Sequence, residues 1–183
     1  MAHLFNFVAF QIGWFACILS AANHWPWAAV FASLAVVVVH LYRARDPRAE
    51  GKLILAAGLI GAVWENALAL GGLTGFHDGV LLNGTAPLWM VAQWMMFATT
   101  LNQSLAWLKP RLRLAAALAA VGSPLSYLAG ERFGAIVLLE RDAALIALAA
   151  GWAVLAPLLL HLARRWNGCL DAHPAIPVGA RHA

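Results

Sequence analysis

The sequence predicts an all-α fold: an integral membrane bundle of six transmembrane helices with both termini in the cytoplasm. Three observations predict it. First, 63% of the residues are hydrophobic and only 11% charged, against roughly 45–50% apolar and about 25% charged in a soluble domain. A water-soluble fold of 183 residues has too much surface for its volume to hide that much apolar material, whereas a lipid exterior removes the conflict. Second, the apolar residues gather in six runs near the ~20 residues that a helix needs to cross a hydrocarbon core ~30 Å thick. Third, the basic residues between the runs fall on alternate connections.

The runs can be taken in order. The first spans 4–21. No Lys or Arg precedes it, and a cleavable signal peptide needs a positive leader, so it reads as a retained helix. The second, 26–42, opens on Pro26, which a helix tolerates in its first turn. The third is 51–70 and the fourth 87–108, again opening on a proline. The fifth is 112–129 and the sixth 143–163, with Pro157 inside it as a kink position. Residues 131–142 carry charged ends around an apolar stretch too short to span. They read as an interfacial segment or an early extension of the sixth helix. Residues 1–166 thus form one transmembrane domain, and 167–183, with Pro174, Pro177 and Gly179, read as a disordered cytoplasmic tail.

The orientation follows from charge. Arg43, Arg45, Arg48, Lys52, Lys109, Arg111, Arg113, Arg164 and Arg165 occupy the connections on one side and the start of the tail. The other side holds only Arg132 and Arg141. The positive-inside bias places the first side, and both termini, in the cytoplasm. Trp25, Trp27 and Trp89 then fall at the outer interface, and Trp107 and Trp166 at the inner one. Trp14, Trp64, Trp94 and Trp152 lie deeper, where packing between helices is expected.

The net charge of +4 reads as topology and not as a nucleic-acid patch, because the basic residues sit in short clusters between spans. Cys17 and Cys169 have no neighbouring Cys or His at ligand spacing, so neither a disulfide frame nor a metal knuckle is expected, and no cofactor is expected either. The chain lacks GxSxG, HExxH, P-loop and GxGxxG signatures.

Function in such a chain is sought among polar groups that lipid tolerates poorly. Glu65 lies about five residues from the outer end of the third helix, so ~8 Å deep at 1.5 Å per residue. An isolated carboxylate there is costly and calls for a partner. Gln93 sits at similar depth in the fourth helix. Ser123, Tyr127 and Glu131 recur every four residues and form one stripe on the fifth. His77 and Asp78 lie in the outer connection. Together Glu65, Gln93, Ser123, Tyr127, His77 and Asp78 frame a candidate outer-leaflet, outward-facing ligand site. The alternative is ordinary hydrogen bonding between helices. Asn6, His40, Thr99, Asn102 and His161 form a second polar layer near the cytoplasmic ends, with no spacing that supports metal binding. Gly58 and Gly61 mark close helix contact.

The run PLWMVAQWMMFATTLNQSLAWL, from Pro87 to Leu108, is distinctive in its tryptophan spacing and its ending. With VGSPLSYLAGERFGA after it and NFVAFQIGWFACILSAA near the start, nearly the whole chain resembles the bacterial family known as domain of unknown function 2878. The resemblance implies a small multi-span inner-membrane protein. It also implies an acidic residue in the third helix followed by a glycine and a phenylalanine. Glu65, Gly72 and Phe76 take those places, with Glu65 a departure from an aspartate. No catalytic residue is carried over.

The function expected is a membrane protein, leaning non-enzymatic, that binds a lipid through this site or accompanies a lipid-modifying or redox membrane partner. The bilayer itself and a homodimer are its other expected partners. The alternatives are an intramembrane hydrolase or isomerase acting on lipid, with Glu65 or His77 as acid or base, and a small proton-coupled transporter.

Overall fold

A computed structural model describes residues 2–169. Among the described residues, six α-helices carry the fold: α1 (Ala2–Ala22), α2 (Pro26–Arg43), α3 (Pro47–Leu70), α4 (Leu88–Leu101), α5 (Leu112–Phe133) and α6 (Arg141–Arg165). Among the described residues, α1, α2, α3, α5 and α6 are long and apolar enough to cross a membrane. They expose large apolar side chains such as Phe31, Leu59, Val63 and Val154, as helices facing lipid do.

Several boundaries differ from the expected ones, each for a local reason. Helix α3 starts four residues early. Asp46 caps it, accepting from the backbone N–H of Arg48 and Ala49 at 3.0 and 3.1 Å, and Pro47 follows in the first turn, a strong start signal. This draws Glu50 out of the expected charged connection and into the helix. Helix α5 runs one turn further than expected, to a left-handed cap at Gly134 (φ 86°), a backbone conformation that suits glycine. Helix α6 runs unbroken through Pro157.

The largest correction concerns the fourth run. It was expected as one helix over 87–108, but α4 ends at Leu101, and a single 3₁₀ turn, Ala106–Leu108, follows separately. The polar run TTLNQS ends the helix by offering the backbone other partners. Thr99 and Thr100 hydroxyls donate to the carbonyls of Met96 and Phe97, each at 2.7 Å. Asn6 of α1 donates to the Thr99 carbonyl at 3.1 Å and accepts from the Ser104 hydroxyl at 2.8 Å. These contacts satisfy groups that a helix end leaves open. At 14 residues, α4 is ~21 Å long, shorter than the ~30 Å core. It compensates by position: it packs against α1, α2, α3 and α6 and is the central helix of the bundle.

Residues 131–142 also resolve. Glu131 and Arg132 belong to α5, and Arg141 opens α6. Between them β2 (Val137–Leu138) pairs antiparallel with β1 (Thr74–Gly75), Thr74 opposite Leu138 and Gly75 opposite Val137. This short ladder ties the α3–α4 connection to the α5–α6 connection at the end of the bundle opposite the basic one. Trp89 is buried and meets Phe76 edge-on at 5.8 Å. Trp25 and Trp27 are exposed.

The start of the expected tail is seated rather than free. The Gly168 carbonyl accepts from the N–H of Arg45 and Asp46 at 3.1 and 3.2 Å. The remainder of that expected tail, 170–183, lies outside the described residues.

Candidate functional site

Glu65 is completely buried. Its Oε1 accepts from the Trp94 indole N–H of α4 at 2.8 Å and from the Tyr127 hydroxyl of α5. Its Oε2 has no hydrogen-bond partner among the described residues. Trp94 can reach it because Gly61, one turn before Glu65, carries no side chain: a Cβ there would lie 2.2 Å from the Trp94 ring. Trp94 in turn stacks on Trp152 of α6, with ring centroids 4.6 Å apart. The carboxyl of α3 is therefore joined to α4 and α5, and through the ring stack to α6.

This network stands at the wall of a cavity of about 570 Å³. Helix α5 makes its extensive contact with α6 and touches α1 only over a short stretch; the cavity occupies the space left among α1, α4, α5 and α6. Its lining along α4 runs from Met90 through Gln93, Trp94 and Phe97 to Leu101, a length of ~16 Å at 1.5 Å per residue. The walls are mainly aromatic and aliphatic. Polar atoms come from a few side chains, Gln93, Ser123 and Tyr127 among them. The Ser123 hydroxyl is buried and has no hydrogen-bond partner among the described residues. Gln93 Oε1 accepts a weak hydrogen bond from the Cys17 thiol at 3.5 Å. The cavity is a half-open cleft, with Phe15, Trp107, Leu118 and Leu125 of its lining exposed; an apolar cleft with few, localised polar groups is the usual form of a small-molecule site.

Of the residues singled out from sequence, Gln93, Ser123 and Tyr127 line this one cavity, and Glu65 reaches it through Tyr127 and Trp94. His77 and Asp78 stand apart from it. His77 is exposed, and Asp78 pairs with His24 of the α1–α2 connection. The stripe through Ser123 and Tyr127 does continue to Glu131, which pairs with Arg141 at 3.3 Å and so serves the connection rather than the cavity. Sequence reasoning missed Trp94 and Trp152 as parts of the site, placing them only as packing.

It also missed a second buried carboxylate. Glu50 is 0% exposed and is held at the basic end of the bundle. It accepts from His40 Nε2 of α2 at 2.8 Å, from Asn102 Nδ2 at 2.6 Å and from the backbone N–H of Gly168 at 2.7 Å. The half-buried Cys169 completes the group: ligand atoms of His40, Glu50 and Cys169 all lie within 4.8 Å of one another. Burial, together with the Glu50 carboxylate, pushes the Cys169 thiol up to about 11. One sequence signal points to Glu50: Asp46-Pro47 is a helix start, which turns a loop glutamate into one inside a helix.

A family model described as protein of unknown function (DUF2878) matches residues 3–158. The chain belongs to the DUF2878 family. The match contains Glu65, Gln93, Ser123 and Tyr127, and also His40, Glu50 and Asn102. Cys169 lies beyond it. No curated protein and no solved structure matches this DUF2878 chain.

Proposed function

We propose that this DUF2878 protein crosses a bacterial inner membrane six times, with both termini in the cytoplasm, and binds one lipid molecule in the cavity among α1, α4, α5 and α6. The apolar chain of the lipid lies along Phe97 and Leu101. Its polar group sits at Gln93, Ser123 and Tyr127, beside Glu65.

The observation that carries this reading is the pairing of an elongated apolar cavity with a few polar residues in its lining, Gln93, Ser123 and Tyr127, and a buried carboxyl oxygen without a partner among the described residues, Glu65 Oε2, behind Tyr127. A buried polar group gains from a hydrogen-bond partner, and a lipid hydroxyl or ester carries donors and acceptors that suit the polar residues of this lining. The ring stack and Gly61 hold the Glu65 network in place, so the site is preorganised. The absence of a catalytic signature in the sequence favours holding or presenting a lipid, for a membrane partner to act on, over turning it over. The short α4 fits six crossings because it is enclosed by protein. Backbone that leaves the helical pattern within a membrane is tolerated when other protein groups satisfy it, as Asn6 does at the Thr99 carbonyl here.

The test is mass spectrometry of lipid retained by protein purified in detergent. One bound lipid per chain is expected, lost from Ser123→Leu and reduced by Gln93→Leu, with both variants still monodisperse. Equal retention by wild type and both variants would remove the cavity from consideration. Chemical change of an added lipid during incubation, abolished by Glu65→Gln, would favour the intramembrane enzyme instead.

A further inference from the structure

His40, Glu50 and Cys169 come from three separate pieces of chain, α2, α3 and the segment after α6. Their chemistry is that of a metal site: an imidazole nitrogen, a carboxylate oxygen and a thiol. Zinc binds such groups at about 2.0–2.3 Å, which puts two ligand atoms of a tetrahedral ion roughly 3.3–3.6 Å apart. The three ligand atoms already lie within 4.8 Å of one another, and His40 Nε2 and Glu50 Oε2, 2.8 Å apart, need to open by only about 0.5–0.8 Å to admit an ion of that geometry.

The shell around His40 and Glu50 is built from hydrogen bonds. His40 and Glu50 are buried, and the other oxygen of Glu50 is fixed by Asn102 Nδ2 and the Gly168 N–H. Such outer hydrogen bonds orient a ligating carboxylate. Asn102 is itself 1% exposed, also donates to the Trp166 carbonyl at 2.9 Å, and its Oδ1 has no hydrogen-bond partner among the described residues. A neutral oxygen is thereby left over in a cluster whose other groups are tied down. Lys109 stands close enough to Cys169 to interact with it electrostatically. A mixed nitrogen, oxygen and sulfur set favours a borderline ion such as Zn²⁺ over Mg²⁺ or Ca²⁺, which prefer oxygen alone.

We propose that His40, Glu50 and Cys169 bind one divalent transition-metal ion of the zinc type at the basic end of the bundle. Binding there joins α2, α3 and the segment after α6, and replaces the His40–Glu50 hydrogen bond with a shared ligand. This site is separate from the lipid cavity and does not depend on it.

The experiment uses the full chain in detergent, stripped with chelator and titrated with Co²⁺ alone. The expected result is one Co²⁺ per chain with a thiolate-to-cobalt charge-transfer absorption, displaced by Zn²⁺. Cys169→Ser should abolish the absorption, His40→Ala should weaken binding at least tenfold, and Cys17→Ser should change neither. Wild type that takes up no Co²⁺, or takes it up without the thiolate absorption, overturns the proposal and leaves the group as a hydrogen-bonded knot. Undiminished binding by Cys169→Ser overturns it equally. The wild-type titration decides the matter even if a variant fails to fold.

Discussion

Glu65 and Glu50 show how one residue type behaves differently at two depths of the same helix. Both are 0% exposed, and both are held by side chains from other helices. Glu65 was legible in the sequence because a single acid stands in an apolar run. Glu50 was not, because Arg48 and Lys52 flank it and make it look like part of a solvated connection. Its partners lie 10, 52 and 118 residues away, and no local pattern announces that. At Glu65 the prediction is specific. Tyr127→Phe removes one donor from a buried carboxyl and should lower stability by about 1–3 kcal/mol, measured as thermal unfolding in micelles. In a double-mutant cycle with Glu65→Gln the two losses should fall short of adding, because the groups touch. Strict additivity would mean that the hydrogen bond contributes nothing. Gly61→Ala should cost about 1–3 kcal/mol by overpacking against Trp94, with a change in tryptophan fluorescence that Gly51→Ala, in open space, does not show.

Among the elements, the five long apolar helices were the legible ones, since an apolar run of sufficient length is nearly all that such a helix requires. Their ends were less so. Asp46-Pro47 is a local start signal, and Asp46→Ala should cost about 0.5–2 kcal/mol in the same unfolding measurement, whereas Arg45→Ala should leave the cap intact. The end of α4 depends on a distant residue. Asn6, on the first helix, holds the Thr99 carbonyl and Ser104, so a reading of the fourth run alone sees a helix that continues. Asn6→Leu should therefore destabilise the bundle by about 1–3 kcal/mol, because it leaves buried polar groups without partners. A variant as stable as wild type would show that the turn after Leu101 ends α4 unaided.

For the whole molecule, the central question is how a short, strongly buried helix sits within longer ones. α4 is surrounded by α1, α2, α3 and α6, and α5 stands off to leave the cavity. Reporter fusions test the proposed crossing pattern. Alkaline phosphatase, active only outside the cytoplasm, should be active when fused in the connections at Asn83 and Gly134 and inactive at Arg45, Arg111 and the C-terminus. Activity at the C-terminus would overturn the orientation, and matching activity at Asn83 and Arg111 would remove α4 as a crossing.

The sequence by itself determined the class of molecule, because hydropathy and length are properties that each helix carries alone, and it located Glu65, Gln93, Ser123 and Tyr127 at matching depth. Helical periodicity gives depth along an axis but leaves the rotation and neighbours of each helix open. Only the tertiary structure decided that Gln93, Ser123 and Tyr127 share one cavity with Glu65 behind it, that His77 and Asp78 stand outside it, and that His40, Glu50 and Cys169 meet at the basic end. Those facts depend on how six helices pack, and packing is set by pairs of residues far apart in the chain.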